Sequence, residues 1–366
     1  MERLDITALP AHVREYIDAL IEENKRLKEE VAQLRRQLEE VTRQQPSRSQ
    51  PKERVSAVPK PKYPDTVMVV TLSAHGRGKR TPINAYTPQH RGGVGVFDIK
   101  LPEGDEPSHL LIADQESVLL CLTDRGRAFR VPVQAIPQGE IRDNGALLKP
   151  HLTLLPGERV TAVAVLDDTT AWTHVYIVTA HGWVKRLRNN YVGPRLSPGT
   201  VLVNPQKEGG APAVAFAGTE RGDLFIVTRQ GMGIRFPVAS APARGARGIL
   251  LQPEDEIVAA TQVEEESTVL MITAEGQATR RAMSSFAANR GPGGKGKMAM
   301  RSEHVVAAGV ADDHDEVFCI SRFAKILRFP AGEVPVHQTA ARGVDAMNVR
   351  GDAVVTMTIA HPPRRA

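Results

Sequence analysis

Six copies of one nine-residue pattern run through this chain of 366 residues. They read LSAHGRGKR, LTDRGRAFR, VTAHGWVKR, VTRQGMGIR, ITAEGQATR and ISRFAKILR. Each has an aliphatic residue, Ser or Thr, two variable residues, a turn residue, three more residues and Arg. The hydroxyl positions are Ser73, Thr123, Thr179, Thr228, Thr273 and Ser321. The turn glycines are Gly76, Gly126, Gly182, Gly231 and Gly276, with Ala324 in the sixth copy. The arginines are Arg80, Arg130, Arg186, Arg235, Arg280 and Arg328, at intervals of 50, 56, 49, 45 and 48 residues. Self-similarity at this period builds a solenoid or a propeller. Within a unit, a β-rich run such as VYIVT enters a tight turn. The glycine there supplies positive φ, and the hydroxyl closes the turn on nearby backbone groups. The arginine lies on the returning strand. A second turn follows, at Arg91-Gly92, Arg142 with Gly145, Arg195, Arg247-Gly248, Arg290-Gly291 and Arg342-Gly343. About four short strands per unit suit a propeller blade, and closing the ring removes exposed edges. The β-branched runs, with 30 Gly and 26 Pro, argue against helical repeats. The expected fold is all-β, a six-bladed propeller of four-stranded blades over 67–366, preceded by a long α-helix.

The N-terminal region, 1–45, carries a different period. Ile17, Asn24, Val31 and Leu38 occupy a positions of a heptad, and Leu20, Leu27, Leu34 and Val41 occupy d. In a parallel pair Glu23 would face Lys28, and Glu30 would face Arg35, both of opposite sign. Asn24 is the polar a residue that fixes register in two-stranded coils. The seam predicts a parallel homodimer through residues 13–41; the alternative is an amphipathic helix packed on its own domain. No basic helix precedes it, so a basic-zipper DNA reader is excluded. Residues 46–66, rich in proline and lysine, read as a semi-extended linker.

No catalytic constellation emerges, and neither a cofactor nor a metal is expected. The 11 histidines include no pair at the i, i+3 or i, i+4 spacing of helical metal ligands. Cys121 and Cys319 share one phase in two repeats, which Ile177, Ile226 and Met271 hold elsewhere. That assigns them to the apolar core. The cluster Asp312, Asp313, His314 and Asp315 falls in an inter-strand turn and reads as a solvated loop. GPGGKGKM at 291–298 fits G-x-x-x-x-G-K but ends in Met where Ser or Thr must hold Mg²⁺. A basic loop carrying Arg290, Lys295 and Lys297 is the better reading. Apolar runs fall far short of the roughly 20 residues that span a bilayer, and no secretory signal opens the chain. Cytoplasmic residence is expected. Aromatic content is 4%, too little for stacking on single strands.

The repeated cations carry the functional expectation. Net charge is +5, a bias that suits a polyanionic partner. Residues at one phase of each blade lie at one radius of a ring. Arg80, Arg130, Arg186, Arg235, Arg280 and Arg328, with Lys79, Lys185 and Arg281 and the second set Arg91, Arg142, Arg195, Arg247, Arg290 and Arg342, would form a basic belt. Duplex DNA on such a belt gains phosphate contacts and counterion release without base readout. The alternative is that the arginines pair with acids such as Glu158 and Glu254 and staple the blades together.

At these residues the chain resembles the C-terminal β-pinwheel domain of DNA gyrase A, and its relative in topoisomerase IV. The resemblance covers essentially all of 67–366, through GRGKRTPINAY followed by QHRGGVGV, and through DRGRAFRVPVQAIP. The family's Gly-rich basic box, Q-R-R-G-G-[RK]-G, corresponds to Gln89, His90, Arg91, Gly92, Gly93, Val94 and Gly95. His90 and Val94 replace two of its basic positions, which makes topoisomerase IV relatives the closer analogy there. The resemblance implies a six-bladed disc that binds and bends duplex DNA on its rim. No tyrosine of the chain directly follows an arginine, so the catalytic Arg-Tyr pair of type II topoisomerases has no counterpart. The expectation is a non-enzymatic, nucleoid-associated duplex-binding protein that acts alone or beside type II topoisomerase subunits. The alternative is a protein-binding scaffold.

Overall fold

A computed structural model describes residues 61–167 and 171–363, with helical residues scattered between His12 and Gln33. Two units form, 1–57 and 58–366. In the first, the described residues are helical and exposed. Leu20, Asn24, Leu27, Val31, Leu34 and Leu38, the register of the expected coiled coil, lie outside the described residues.

The second unit is a propeller of six blades. Each blade centres on a hairpin that contains the nine-residue pattern: Val67–Ser73 with Arg77–Pro82, Val118–Thr123 with Arg127–Pro132, His174–Thr179 with Trp183–Arg188, Asp223–Thr228 with Met232–Pro237, Thr268–Thr273 with Gln277–Ala282, and Glu316–Ser321 with Lys325–Pro330. The first strand of each hairpin is buried on both faces, which is why runs such as VYIVT are continuously apolar rather than alternating. The expected turn chemistry is present. Thr123 Oγ1 accepts from Arg127 N–H at 3.2 Å and the Thr123 carbonyl from Gly126 N–H at 2.8 Å. The same pair of bonds recurs in all six blades.

An innermost strand completes the inner side of each blade: Pro107–Asp114, Val160–Leu166, Pro212–Gly218, Ile257–Val263, Val305–Val310 and Val354–Ala360. Each pairs with its hairpin through a register shift, an irregularity of the kind that increases twist. The six line a central cavity of about 340 Å³.

The outermost strand of each blade is two residues long and comes from the next repeat. Ala146–Leu147, from the second repeat, pairs with Arg77–Gly78 of blade 1. Blade 6 receives Val96–Phe97 from the first repeat, paired with Lys325–Ile326. That exchange closes the ring. Blade 5 takes Val344–Asp345 in this place and adds a parallel strand, Val336–His337, so it has five strands rather than four. Six apolar clusters fill the ring, each shared by two neighbouring blades. Cys121 and Cys319 sit inside two of them, and burial pushes both thiols up to about 12. Tyr63, within the range read as linker, is buried against the joint of blades 1 and 6. No helix among the described residues is long and apolar enough to cross a membrane.

Candidate nucleic-acid interface

The structure separates the candidate cations by the strand they occupy. Those on the hairpin strand are drawn into the joints between blades. Lys79, Arg235, Arg280, Arg281 and Arg328 are buried, and Arg80, Arg130, Lys185 and Arg186 are half-buried. A belt built from the buried five corrects to a set of joints, because desolvated guanidinium and ammonium groups are held inward by fixed acceptors. Each hairpin ends in a short 3₁₀ turn, and five of the six repeat arginines reach the turn of the following blade. Arg80 Nε donates to the Ile136 carbonyl at 2.8 Å, and Arg280 Nε to Val334 at 2.7 Å. Arg235 Nη1 donates to Met283 at 2.8 Å, and Arg130 Nη1 donates to Val192. Arg328 Nη1 donates to Tyr86 at 2.7 Å and Ile83 at 3.2 Å, across the ring closure. Arg186 is half-buried beside Tyr176.

Acids complete these joints, although not the expected ones. Arg328 pairs with buried Glu316, Nε to Oε1 at 2.9 Å. Arg235 pairs with Asp223 at 2.7 Å and Glu265 at 2.8 Å, and Arg280 with Asp313 at 2.6 Å. Asp313 belongs to the acidic turn read as a solvated loop. Lys79 reaches Asp98 at 3.0 Å, and Asp98 also accepts from Thr71 at 2.8 Å and Tyr86 at 2.6 Å. Lys185 pairs with Glu208 at 2.7 Å. Glu158 serves Arg127 and Thr123 instead, each at 2.6 Å. Burial alone would raise the Glu158 carboxyl; hydrogen bonds from the Leu155 N–H, Thr123 and Arg127 hold it below its usual range. Glu254 contributes its carbonyl, which accepts from Arg229 Nη2.

The second set behaves differently. Arg91, Arg142, Arg195, Arg247, Arg290 and Arg342 are all exposed, as are Lys295 and Lys297. Each of the six arginines lies in, or just ahead of, the borrowed outermost strand of a blade. The periodic exposed charge of the ring is therefore carried by the Arg-Gly turns.

The box Gln89–Gly95 spans the seam. Gln89 N–H donates to the Arg328 carbonyl at 2.8 Å and Gly92 N–H to Ala346 at 2.6 Å, while the Gly93 carbonyl accepts from Asn348 at 2.9 Å. Val94 is half-buried ahead of the closing strand Val96–Phe97. One carboxylate covers its polar edge: Glu333 accepts the Arg91 N–H at 2.7 Å, and its other oxygen lies 2.7 Å from His90 Nδ1. The Arg91 guanidinium donates to the Asp345 carbonyl at 3.0 Å. Pattern reading missed Glu333, Asp98 and Glu316. The signal for Asp98 was available: Lys79 holds a phase that Phe129, Ile234 and Leu327 occupy in other repeats, and a buried lysine needs a buried acid. Among the described residues, no group of three or more His, Cys, Asp or Glu could hold a metal ion.

Comparison with known proteins agrees with this architecture. The family model described as DNA gyrase C-terminal domain, beta-propeller, matches residues 68–113, 117–139, 222–264 and 315–360. The DNA gyrase A protein of Mycolicibacterium smegmatis is 26% identical over 302 residues, covering 79% of this chain and 36% of the relative. Its counterpart in Klebsiella oxytoca is 28% identical over 308 residues, covering 81% and 35%. The chain thus spans about a third of the length of the relatives it matches. A solved DNA gyrase A C-terminal domain superposes with a TM-score of 0.71 at 21% identity, covering 80% of this chain and 99% of that one. The C-terminal domain of DNA topoisomerase IV superposes at 0.57 and 19%, covering 81% and 94%. In sequence and in fold, the propeller of this chain is similar to the DNA gyrase A C-terminal domain.

Proposed function

We propose that this propeller is a non-catalytic module that holds and bends duplex DNA with little sequence preference, gripping phosphates with Arg91, Arg142, Arg195, Arg247, Arg290, Lys295, Lys297 and Arg342. One observation carries the reading: each repeat exposes an arginine in the second turn, which leads into or forms an outermost strand, while five of the six hairpin arginines reach the 3₁₀ turn of the next blade. Phosphate contact at recurring points supplies affinity through counterion release, and many weak contacts share the cost of bending. The kinship to gyrase A supports work on DNA topology, alone or beside a type II topoisomerase. The helix of 1–45 joins two propellers through the 46–66 linker, so that two weak sites act on one duplex at raised effective concentration. The half-buried Arg80, Arg130, Lys185 and Arg186 position this surface rather than grip DNA. A scaffold for a protein partner is the second reading, favoured by exposed Phe97, Leu147, Val201 and Met298 on four outermost strands.

The test is duplex binding by fluorescence anisotropy across a salt series. Affinity should fall steeply with salt, by about 0.9 in the log–log slope per phosphate contacted. Reversing Arg142, Arg195, Arg247 and Arg290 to Glu should weaken binding about equally on unrelated sequences and flatten that slope. A flat salt series, or a quadruple variant that binds like the parent, removes the proposal. Relaxing circular DNA with a nicking-closing enzyme in the protein's presence reports whether bending becomes a trapped linking-number change.

A further inference from the structure

The Gly-rich stretch GPGGKGKM has a double in the fold. It follows Asn289 and Arg290, and its backbone repeats that of Gln89–Gly95 bond for bond. Gln89 N–H donates to the carbonyl of the repeat arginine Arg328 at 2.8 Å, and Asn289 N–H to that of the repeat arginine Arg235 at 2.6 Å. Gly92 N–H donates to Ala346 at 2.6 Å, and Gly293 N–H to Gly248 at 2.7 Å. The Gly93 carbonyl accepts from Asn348 at 2.9 Å, and the Gly294 carbonyl from Leu250 at 2.8 Å. Gly95 and Gly296 have φ of +77 and +74. A Cβ on either would press on a carbonyl oxygen of the strand beside it, Ile326 at 2.6 Å or Gly233 at 2.7 Å. Each loop then runs into an outermost strand, Val96–Phe97 or Lys297–Met298. The later loop is one residue longer, and Arg290 and Lys295 stand in it where the first has His90 and Val94.

A third copy of this backbone, at 139–145, shows that the shape does not fix the charge. Gly139 N–H donates to Arg80 at 3.0 Å, Arg142 N–H to Asp98 at 2.6 Å, and the Asp143 carbonyl accepts from Lys100 at 2.9 Å. That loop carries two acids, Glu140 and Asp143. The loop at 89–95 is covered by Glu333, the last residue of the 3₁₀ turn Ala331–Glu333, and its Arg91 guanidinium is turned to the Asp345 carbonyl. The corresponding turn of blade 4, Val238–Ser240, ends in Ser240, whose hydroxyl donates to the Pro237 carbonyl at 2.5 Å. Of the three loops, 289–296 alone has no acid in it and no carboxylate at the end of that turn. Arg290, Lys295 and Lys297 are exposed, and among the described residues none of them is in an ion pair.

We infer that the loop 289–296 is the anchor of the duplex on this ring, the point where backbone phosphates are held most tightly, ahead of the related loop at 89–95. The inference rests on the proposed function and makes its contacts unequal. Glycines let a phosphate approach the loop backbone closely, and three clustered cations act on neighbouring phosphates. The turns that carry Arg195 and Arg342 offer one cation each.

The experiment titrates the full chain with a duplex across a salt series. Arg290→His with Lys295→Val gives the loop the residues of its double. Arg195→His with Arg342→Val removes the same two charges elsewhere on the ring and is the control. The loop pair should lose about tenfold or more in affinity, with a log–log salt slope shallower by about 2. The control pair should shift that slope by less than about 1. All four side chains are exposed, so both pairs should melt at the wild-type temperature. The decisive variant adds His90→Arg, Val94→Lys and Glu333→Gln to the loop pair. It rebuilds the lost charges on the same backbone at 89–95 and should recover most of the affinity. A loop pair that binds like the control, or a graft that recovers nothing, overturns the anchor and leaves the proposed function standing. A wild type that fails to bind duplex, or binds it without salt dependence, overturns the proposed function and the anchor with it.

Discussion

Ala324 has φ of +57, where five other blades place glycine. The Cβ makes this region costly by roughly 1–2 kcal/mol, and the turn must nonetheless be left-handed to return the strand. Gly126 shows the second reason for glycine: a Cβ there would sit 1.8 Å from the Val203 carbonyl oxygen. Gly126→Ala should therefore cost about 2 kcal/mol or more, whereas Ala324→Gly should be neutral or stabilise by up to about 1 kcal/mol. Urea midpoints of the two variants decide it, and equal effects would refute the contrast. Glu333 makes a different prediction. It occupies one box N–H and the His90 ring, groups that the proposed function would offer to a phosphate oxygen. Glu333→Gln should tighten duplex binding several-fold and steepen the salt slope. An exposed control, Glu103→Gln, should do neither, and anisotropy that fails to separate the two variants discards the idea. At this scale the pattern of hydroxyl, glycine and arginine was readable, because turn geometry depends on a few adjacent residues. The fate of each arginine was not, since its acceptors Val334, Met283 and Tyr86 belong to another repeat.

The hairpins were legible as elements because a doubly buried strand is continuously apolar and a glycine marks its end. The outermost strands were not. Two residues such as Thr200–Val201 carry no periodicity, and their partner lies in the preceding repeat. The Arg-Gly turns that deliver them were visible in the sequence, yet their role in exchange was hidden. The joint is also an element, made of a hairpin arginine, its acid and the next 3₁₀ turn. At the seam Arg328 is 1% exposed and serves Glu316 and two carbonyls. Arg328→Ala leaves Glu316 charged and unpaired inside the protein and should cost about 3–5 kcal/mol. Denaturant unfolding checks it; a loss below about 1 kcal/mol would mean the seam does not depend on this pair.

At the largest scale, the second unit is a ring whose innermost strands enclose a cavity that includes His109. Burial lowers the His109 imidazole from 6.5 to about 4, against the opposing effect of a hydrogen bond with the Thr161 backbone. The folded state thus binds fewer protons than the unfolded chain between those values, so stability falls as pH drops through that window. The contribution is at most about 3 kcal/mol. His109→Gln should flatten this part of the stability–pH curve, measured by urea unfolding at several pH values. A variant curve parallel to the wild type would place the imidazole in water instead. Ring closure itself was beyond the sequence, because six repeats describe an open spiral as well as a circle.

The borrowed strand also changes what counts as a module. A blade cannot be cut out or duplicated along its own boundaries: excision would take the strand lent to its predecessor and strand the one it had borrowed. The exchangeable unit is offset, comprising one hairpin, the strand it gives backwards and its inner strand. Lineages that lose or gain a repeat must do so in that shifted frame, and a ring altered in any other frame would carry one bare outer edge.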